Sequence, residues 1–398
     1  MNDLPNLLEA LKQSTRSGLG IVMATVVKVE GSAYRRPGAR MIIPQSGAIV
    51  GTVSGGCLER DVARKAWWFT TSGKPAVRIY TTGEDDDDLE EAELAFGLGC
   101  NGTVHILFER LPVGGDSIVV RLLEAIGSSG RPAALATVIS TEANEGVAVG
   151  DRMAIGVDGT LCGSLIDASL SAQVEVDLGY VLESRRTTHC DYVTDKGHVV
   201  GLLIEYIAPP CRLVVFGAGN DAKPLVDIAS LQGWRVVVVD ARSHFARRER
   251  FPLAEQVIIA PIDEPFIFNS LVEDAAVVIM SHSMAQDRFW LENVLRCLPR
   301  YIGQLGPRTR TERLLAEMGA QVFHSIAFET LHFPVGLDIG GDTPESVALS
   351  ISSEINAVFS QRDGGMLTHR TRSIHEAEIL NDKIRSSNLV SEQKSIVL

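Results

Sequence analysis

The N-terminal half of the sequence repeats itself at a constant spacing of 112 residues. Residues 24–26 (Ala-Thr-Val) recur as residues 136–138, and no gap is needed to keep the later matches aligned. Three of the six further matches are glycines: Gly38, Arg40, Met41, Gly47, Gly51 and Tyr80 recur as Gly150, Arg152, Met153, Gly159, Gly163 and Tyr192. Self-similarity at a fixed period indicates that one supersecondary unit is built twice. We therefore predict an N-terminal domain over residues 1–208 that contains two copies of a β-rich unit, at about 20–112 and 132–208.

The two copies differ where the first carries reactive side chains. Residues 55–59 read Gly-Gly-Cys-Leu-Glu in the first copy, whereas residues 167–171 read Asp-Ala-Ser-Leu-Ser in the second. The first copy also has an arginine pair, Arg35 and Arg36, and a second glycine-rich cysteine segment at residues 96–102, and the second copy keeps neither. Because the second copy retains only the strand and turn residues that a fold needs, we predict a functional site in the first copy and a scaffold role for the second.

Cys57 follows two glycines, Gly55 and Gly56, at the predicted start of a helix. The helix is predicted to run to about residue 70, because apolar residues recur on one face at positions 58, 62, 66 and 69. A cysteine in a first turn lies near the positive end of the helix dipole, which favours the thiolate, and glycines let a ligand approach the backbone. Two interpretations are open: a functional thiol, and a buried cysteine beside a tight turn. Its loss from the second copy favours the functional thiol.

Composition and charge restrict the class of protein. The 398 residues are 45% hydrophobic and 22% charged, as in ordinary soluble domains, and the net charge of −13 disfavours nucleic-acid binding. No apolar run approaches the roughly 20 residues that span a bilayer, so we expect no membrane partner. The six cysteines are scattered, so we expect neither structural zinc nor disulfides, and a cytoplasmic protein. The acidic run at residues 84–93 is interpreted as a solvated segment rather than a metal site.

The second half begins with the pattern of a dinucleotide-binding fold. An apolar run leads into residues 217–222 (Gly-Ala-Gly-Asn-Asp-Ala) and a predicted helix, and the next predicted strand ends in Asp240. Asp240 lies 21 positions after Gly219, where this fold places a partner for the ribose. Asp240 favours an unphosphorylated ribose, whereas Arg242 works against that preference. The loop that starts at Gly217 could also hold another phosphate-bearing ligand at the helix N-terminus, so NAD is one possible ligand among others.

Strands and helices are predicted to alternate after this motif. The predicted strands are residues 256–259, 275–280 and 301–303, and the predicted helices are residues 285–297 and 309–318. This alternation is typical of a doubly wound parallel sheet, so we assign residues 209–360 to a Rossmann-like domain and residues 361–398 to a polar tail. The predicted fold class is α/β, with a β-rich α+β domain that contains the duplicated unit before the Rossmann-like domain.

The ligand face of the Rossmann-like domain is predicted to include two later segments, residues 303–310 and 334–345. Residues 303–310 end a short strand with glycines and two arginines where the next helix begins, and an ordinary turn with solvated arginines is the alternative interpretation. Residues 334–345 contain Gly340 and Gly341 directly before a helix, which should begin with Thr343 as its N-cap and run to about residue 359. Three glycines within residues 334–345 indicate that the backbone of this segment is accessible to a ligand. His282 follows an apolar strand at its carboxyl end, where open α/β sheets place ligand groups. A lone histidine there is also typical of packing or capping.

Together, these motifs resemble the XdhC/CoxI family of xanthine dehydrogenase accessory factors. The resemblance covers most of residues 20–358, and the acidic run and the tail lie outside it. It is carried by residues 31–32, Arg35, residues 37–38, Met41, and residues 55–59 and 97–102 in the first half, and by residues 215–219, 239–242, 251–252, 303–306 and 334–340 in the second. Ser54 and Asn101 depart from the family pattern, because glycine is common at both positions.

The resemblance implies a maturation chaperone rather than an enzyme. Such proteins bind the molybdenum cofactor, as molybdopterin or its dinucleotide, and hold it while a cysteine desulfurase sulfurates it. They then assist its insertion into a xanthine dehydrogenase-type or carbon monoxide dehydrogenase-type molybdenum hydroxylase. The resemblance implies that Cys57 and Cys100 contact the cofactor beside Arg35, and it favours a homodimer. The implied cofactor-binding residues are Gly55, Gly56, Gly217, Gly219, Asp240, Gly340 and Gly341.

Two other functions are compatible with the sequence. The first is an NAD-dependent oxidoreductase that uses the Rossmann-like domain directly. It is disfavoured because no catalytic acid or base stands out and because the N-terminal glycine–cysteine motifs would have no role. The second is a nucleotide-sensing regulatory protein with a degenerate site. Bound pterin and molybdenum after anaerobic purification would favour the accessory factor over both.

Overall fold

The computed structural model describes residues 3–81, 93–95, 102–112, 117–142, 146–319 and 326–369. The chain divides after Pro209 into two compact units, which we call the N-terminal unit, up to Pro209, and the Rossmann unit, from Pro210 onward. Cys100, most of the acidic run and the polar tail beyond residue 369 lie outside the described residues. Within the described ranges, none of the helices has the length and apolar character needed to cross a membrane.

The first half of the N-terminal unit is a mixed sheet flanked by helices. Its elements are α1 (Leu4–Ser17), β1 (Ile21–Gly31), β2 (Arg40–Pro44), β3 (Val50–Gly51), α2 (Glu59–Phe69), β4 (Ala76–Thr81), β5 (Glu93–Ala95) and β6 (Gly102–Leu111). The strand order is β3-β2-β1-β6-β4-β5, and the neighbours are antiparallel except for the parallel pair β4 and β5.

The second half of this unit has the same topology. Its elements are α3 (Ile118–Ser129), β7 (Ala133–Thr141), β8 (Arg152–Ile155), β9 (Leu161–Gly163), α4 (Ala168–Ser184), β10 (Thr188–Val193) and β11 (Val199–Ile207). The strand order β9-β8-β7-β11-β10 matches β3-β2-β1-β6-β4, so each strand of the second sheet has a counterpart at the same place in the first.

The equivalence of the two halves extends to the helices before their first strands. α1 ends at Gly18 and α3 ends at Gly130, which are 112 residues apart, and both glycines are left-handed C-caps. Glycine is the usual residue there because it has no Cβ to oppose a positive φ. The repeated structure therefore begins with α1 and α3, before the boundaries at about residues 20 and 132 that the sequence comparison suggests.

A shared hydrophobic core joins the two halves. Leu7 of α1, Met23 of β1, Leu123 of α3 and Leu135 of β7 belong to one buried cluster. α2 and α4 instead cover the sheet of their own half, each over a separate cluster. Each half has one sheet face, next to α1 or α3, that would be exposed if that half stood alone. The two copies bury these faces together and so stabilise each other through this common core.

The Rossmann unit is a doubly wound parallel sheet, as predicted. Its elements are β12 (Arg212–Phe216), α5 (Ala222–Leu231), β13 (Arg235–Asp240), β14 (Gln256–Ile259), α6 (Asn269–Val272), β15 (Ala276–Ile279), α7 (Met284–Val294), β16 (Tyr301–Gln304), α8 (Arg308–Met318), β17 (Leu331–His332) and α9 (Pro344–Phe359). The order β14-β13-β12-β15-β16-β17 is parallel throughout, and α5 with α9 covers one face while α7 with α8 covers the other. Both faces are buried, which explains the continuous aliphatic runs of the strands.

The strand order reverses direction at β12, which pairs with β13 on one side and with β15 on the other. In open α/β sheets, ligands bind beyond the carboxyl ends of the strands at such a switch point. The loop that begins at Gly217 follows β12, and the segment that contains His282 follows β15, so the topology brings them to this point.

Candidate functional site

Glu59, the first residue of α2, shapes the glycine–cysteine loop of the first copy. Its side chain is buried, and one carboxylate oxygen accepts hydrogen bonds from the backbone N–H groups of Val53 at 3.1 Å and Ser54 at 2.8 Å. The other oxygen accepts from the Ser54 hydroxyl at 2.6 Å. Burial by itself would raise the pKa of Glu59, but these hydrogen bonds outweigh it and hold the pKa below its ordinary value. Glu59 is therefore ionised, and its carboxylate holds the backbone of the loop in place.

Cys57 lies on the exposed side of this loop. Its thiol donates to the Ser54 hydroxyl oxygen at 3.4 Å, and the same oxygen accepts from the backbone N–H groups of Gly56 and Leu58. The interpretation of Cys57 as a buried cysteine is wrong, because the side chain is exposed. α2 begins at Glu59, so Cys57 lies just before the helix rather than inside its first turn.

The two glycines before Cys57 have different surroundings. An added Cβ at Gly55 would lie 3.4 Å from the ring of Tyr34, which rests against this backbone. Gly56 has a φ of +111°, a conformation that residues with side chains rarely adopt, and nothing lies within 4 Å of its Cβ position. The backbone at Gly56 is thus open on the side where a side chain would stand, beside the exposed thiol.

Arg35 ties the segment after β1 to the N-terminal helix. Its guanidinium forms an ion pair with Asp3, the residue before α1. Its Nε is buried and has no hydrogen-bond acceptor among the described residues. A buried N–H without a partner is costly, so this group is available to an acceptor that the described residues do not provide.

The topology brings three of the motifs in the first copy to one end of its sheet. Gly31 pairs with Gly102, and a Cβ on Gly102 would collide with the backbone of Ser32. Two residues later, Tyr34 contacts Gly55 of the cysteine loop. Gly102 ends the second glycine–cysteine motif, but Gly97, Gly99 and Cys100 themselves lie outside the described residues. A meeting of the two thiols therefore stays a prediction.

The corresponding turn of the second copy is closed by its own side chains. Asp167 caps α4 by accepting from the backbone N–H of Leu170 at 2.9 Å. The Ser171 hydroxyl bridges the backbone of Leu165, accepting from its N–H and donating to its carbonyl. Glu59 makes the equivalent contact with Val53 in the first copy, so local hydrogen bonds hold both turns. The second turn differs because it has neither a thiol nor a glycine pair.

In the Rossmann unit, Gly217 allows the loop after β12 to pass close to β15. Its φ is +126°, and an added Cβ would lie 2.5 Å from the carbonyl oxygen of Met280. Gly219 is also tightly placed, because a Cβ there would collide with the carboxylate of Asp221. The Gly217–Gly219 loop lies at the predicted place, between the end of β12 and the start of α5.

Asp240 ends β13 as predicted, but its carboxylate is engaged within the protein. It is completely buried and accepts from the backbone N–H of Ala218, in the glycine loop, at 2.8 Å. The Arg242 side chain donates to both carboxylate oxygens, each at 2.9 Å, and its backbone N–H donates to one of them. Burial would raise the pKa of Asp240, but these hydrogen bonds lower it below its ordinary value. A ribose hydroxyl would have to compete with Arg242 and Ala218 for this acceptor.

His282 and Asp221 bridge the two sides of the switch point. His282 has a φ of +60°, and its Nε2 lies 2.6 Å from a carboxylate oxygen of Asp221, the N-cap residue of α5. The buried Asp287 fixes this segment from below, because it accepts from the backbone N–H and hydroxyl of Ser281 and from the guanidinium of Arg310. His282 is therefore held at the ligand face by contacts on two strand ends.

Two glycines, Gly340 and Gly341, lie in the segment that leads to the start of α9. Gly340 has a φ of +73° with no atom within 4 Å of its Cβ position, whereas a Cβ at Gly341 would collide with Ser346. Thr343 caps α9, with its hydroxyl accepting from the backbone N–H of Ser346 at 3.3 Å, and Pro344 is the first helical residue. The predicted start of this helix is confirmed.

Several residues that shape these sites carry no signal that sequence inspection detects. Tyr34 contacts Gly55 of the cysteine loop from 21 positions away, and Arg250 donates to the carbonyl of Ala218 from 32 positions away. A residue whose role depends on such long-range contacts has no local pattern to mark it. For Asp221, the signal is its place directly before α5, where aspartate is a common N-cap.

Comparisons with known proteins agree with this architecture. The sequence model of the XdhC and CoxI family matches residues 14–81 and 127–193, and the model of the XdhC Rossmann domain matches residues 213–355. A Bacillus subtilis protein named as a probable subunit of xanthine dehydrogenase is 30% identical over 357 residues, covering 89% of this chain and 97% of that protein.

Two further relatives cover a similar share of the chain. The molybdenum cofactor insertion chaperone PaoD of Escherichia coli is 24% identical over 363 residues, or 90% of this chain and 89% of PaoD. A crystal structure described as a xanthine dehydrogenase from Bacillus halodurans superposes with a TM-score of 0.69 at 28% identity, covering 91% of this chain and 97% of that one. On the strength of the matched sequence models and of full-length similarity to these relatives, this chain belongs to the XdhC and CoxI family.

Proposed function

We propose that this protein is an accessory factor for a molybdenum hydroxylase. In this proposal it binds the molybdenum cofactor, holds it while a cysteine desulfurase sulfurates it, and assists its insertion into a xanthine dehydrogenase-type or carbon monoxide dehydrogenase-type enzyme. The observation that carries the proposal is the exposed Cys57 on an open glycine loop, held by the ionised Glu59. The relative PaoD, named as a molybdenum cofactor insertion chaperone, supports the same role.

The residues of the first copy suit a cargo with a soft metal–sulfur centre. An exposed thiol is a soft ligand, and the bare backbone at Gly56 admits a bulky group beside it. The buried, unpartnered Nε of Arg35 offers a donor to an anionic acceptor. Cys100 is proposed as the second thiol of this site. The Gly217–Gly219 loop, together with Gly340 and Gly341, is proposed separately to bind a phosphate-bearing ligand of the Rossmann unit.

An NAD-dependent oxidoreductase is the alternative that the Rossmann unit permits. It is disfavoured because the carboxylate of Asp240 is already occupied by Arg242 and Ala218. We therefore propose a chaperone rather than an enzyme. We also propose that it acts in the cytoplasm and that it forms a homodimer.

Metal and pterin analysis of anaerobically purified protein tests this proposal. The wild-type protein, purified from a host that makes the cofactor, should carry molybdenum, measured by plasma mass spectrometry, and a pterin, measured by fluorescence after oxidation. Cys57→Ser should carry much less of both, because serine keeps a hydroxyl that can donate to Ser54 but lacks the soft sulfur. Cys162→Ser is the matched control, since Cys162 is a partly exposed cysteine of the second copy. A wild-type protein without pterin, or equal loading of Cys57→Ser, would contradict the proposal.

A further inference from the structure

We propose that the Rossmann unit selects a ligand that carries a phosphate group on the ribose next to the glycine loop, over the same ligand with an unphosphorylated ribose. The group that makes this selection is Arg242, supported by the basic segment at residues 242–250. The inference rests on the nucleotide-binding part of the proposed function, and it assigns a specificity that the position of Asp240 in the sequence argues against.

The end of β13 offers no free carboxylate to a ribose. Selection of an unphosphorylated ribose in this fold uses an acidic side chain that accepts hydrogen bonds from the sugar hydroxyls. Asp240 holds that position, but it is completely buried and takes four hydrogen bonds from Ala218 and Arg242. A ribose diol at this place would meet the guanidinium that covers the carboxylate.

The exposed group at the end of β13 is instead a cation, the guanidinium of Arg242. The Arg242 side chain is 31% exposed, and it uses Nε and Nη2 to bind Asp240, while Nη2 also donates to the carbonyl oxygen of Ser281 at 3.4 Å. Nη1 has no acceptor among the described residues, and the guanidinium lies over the ring of Phe245 at 4.2 Å from its centroid. The carboxylate and the ring hold the guanidinium in one orientation, so its remaining N–H groups are preorganised for an oxyanion.

The segment around Arg242 carries a positive net charge. Together with Asp240, the partner of Arg242, residues 240–250 hold four arginines and two acidic residues, a net charge of +2, in a chain whose net charge is −13. Arg248 and Arg250 donate mainly to backbone carbonyls, of Ala254 and Ala218 among others, and these partners do not neutralise them. Arg250 also places a cation directly against the glycine loop. The segment is therefore a local positive field that favours an additional phosphate.

Calorimetric titration of the full-length protein with NADP⁺ and with NAD⁺ tests the inference, because the two probes differ only in the 2′-phosphate. NADP⁺ should bind at least about tenfold more tightly, and raising the salt concentration should reduce the difference. Arg242→Gln should bring the two affinities close together. The matched control is Arg235→Gln: Arg235 starts the strand that Asp240 ends, is 28% exposed and forms a similar forked pair with Glu255. It should keep the preference for NADP⁺.

A second variant covers the case in which Arg242→Gln fails to fold because Asp240 loses its partner. Arg247→Gln removes an exposed charge from the same segment and leaves the Asp240 pair intact, so it should weaken NADP⁺ binding more than NAD⁺ binding. Equal or tighter binding of NAD⁺, no binding of either probe, or an unchanged preference in a folded Arg242→Gln protein would overturn the inference. The molybdenum and pterin content of the purified protein is measured separately, so failure of the chaperone proposal would be seen independently of this result.

Discussion

The guanidinium of Arg40 donates to the carboxylate of Glu205 at 2.8 Å, and both side chains are almost completely buried. Arg40 belongs to the first half of the N-terminal unit and Glu205 to the second. The reverse pair also exists: Arg152 of the second half binds Glu109 of the first through two hydrogen bonds, one at 2.9 Å. The two copies are therefore joined by reciprocal ion pairs, each between β2 or β8 and the last strand of the other copy.

Breaking one of these pairs should destabilise the protein strongly. Arg40→Met leaves the Glu205 carboxylate buried without its cation, and we expect a loss of about 3–5 kcal/mol in the free energy of unfolding. The double variant Arg40→Met with Glu205→Met should regain most of that loss, because two apolar side chains leave no buried charge. Urea unfolding followed by circular dichroism measures both. Arg296→Ala, which removes an exposed pair with Glu292, should cost about 0.5 kcal/mol or less. Independent, additive effects at Arg40 and Glu205 would contradict the coupling.

Acid should destabilise the cysteine loop because it protonates the carboxylate of Glu59. The pKa of Glu59 is lower in the folded protein than in the unfolded chain, so its hydrogen bonds stabilise the fold above the unfolded value of about 4.3. That contribution is lost as the pH falls through the folded pKa. The unfolding midpoint of Glu59→Gln, measured in urea from neutral pH to about pH 3, should therefore fall less steeply with acid than that of the wild type. Parallel curves for the two proteins would show that Glu59 is not held ionised in the loop.

The cysteines should differ sharply in reactivity toward iodoacetamide. Cys57 is exposed and should be alkylated first in the native protein. Burial raises the pKa of Cys211 to about 12 and raises that of Cys297, so both should react slowly near neutral pH. Peptide mass spectrometry over a time course measures the order, and addition of urea should make the rates converge. Native-state labelling of Cys297 as fast as that of Cys57 would contradict the structure.

Two glycine-to-alanine substitutions should have effects of opposite sign. Gly217→Ala places a Cβ 2.5 Å from the carbonyl oxygen of Met280 at a φ of +126°, and we expect a loss of about 1–3 kcal/mol in the free energy of unfolding. Gly179 lies inside α4 with nothing within 4 Å of its Cβ position, so Gly179→Ala should stabilise by about 0.5–1 kcal/mol. Thermal unfolding of the two variants in parallel measures the difference. A Gly217→Ala protein as stable as the wild type would mean that the glycine loop has room to move away from β15.

The sequence by itself determines the elements and their order. Aliphatic runs and the Gly217 motif predict the parallel sheet, Thr343 and Pro344 predict the start of α9, and the constant spacing of 112 residues predicts two units of one topology. These features can be predicted because periodicity, capping and turn conformation depend on residues near each other in the chain.

Only the tertiary structure decides which of those residues remain available to a ligand. Asp240 has the spacing of a ribose partner, yet its carboxylate is buried under Arg242, and Cys57 lies exposed just before α2 because Glu59 folds back against Ser54. The reciprocal pair of Arg40 and Glu205 joins residues 165 positions apart. Such contacts depend on how distant segments pack, and a local sequence pattern carries no information about the partner that packing brings to each polar group.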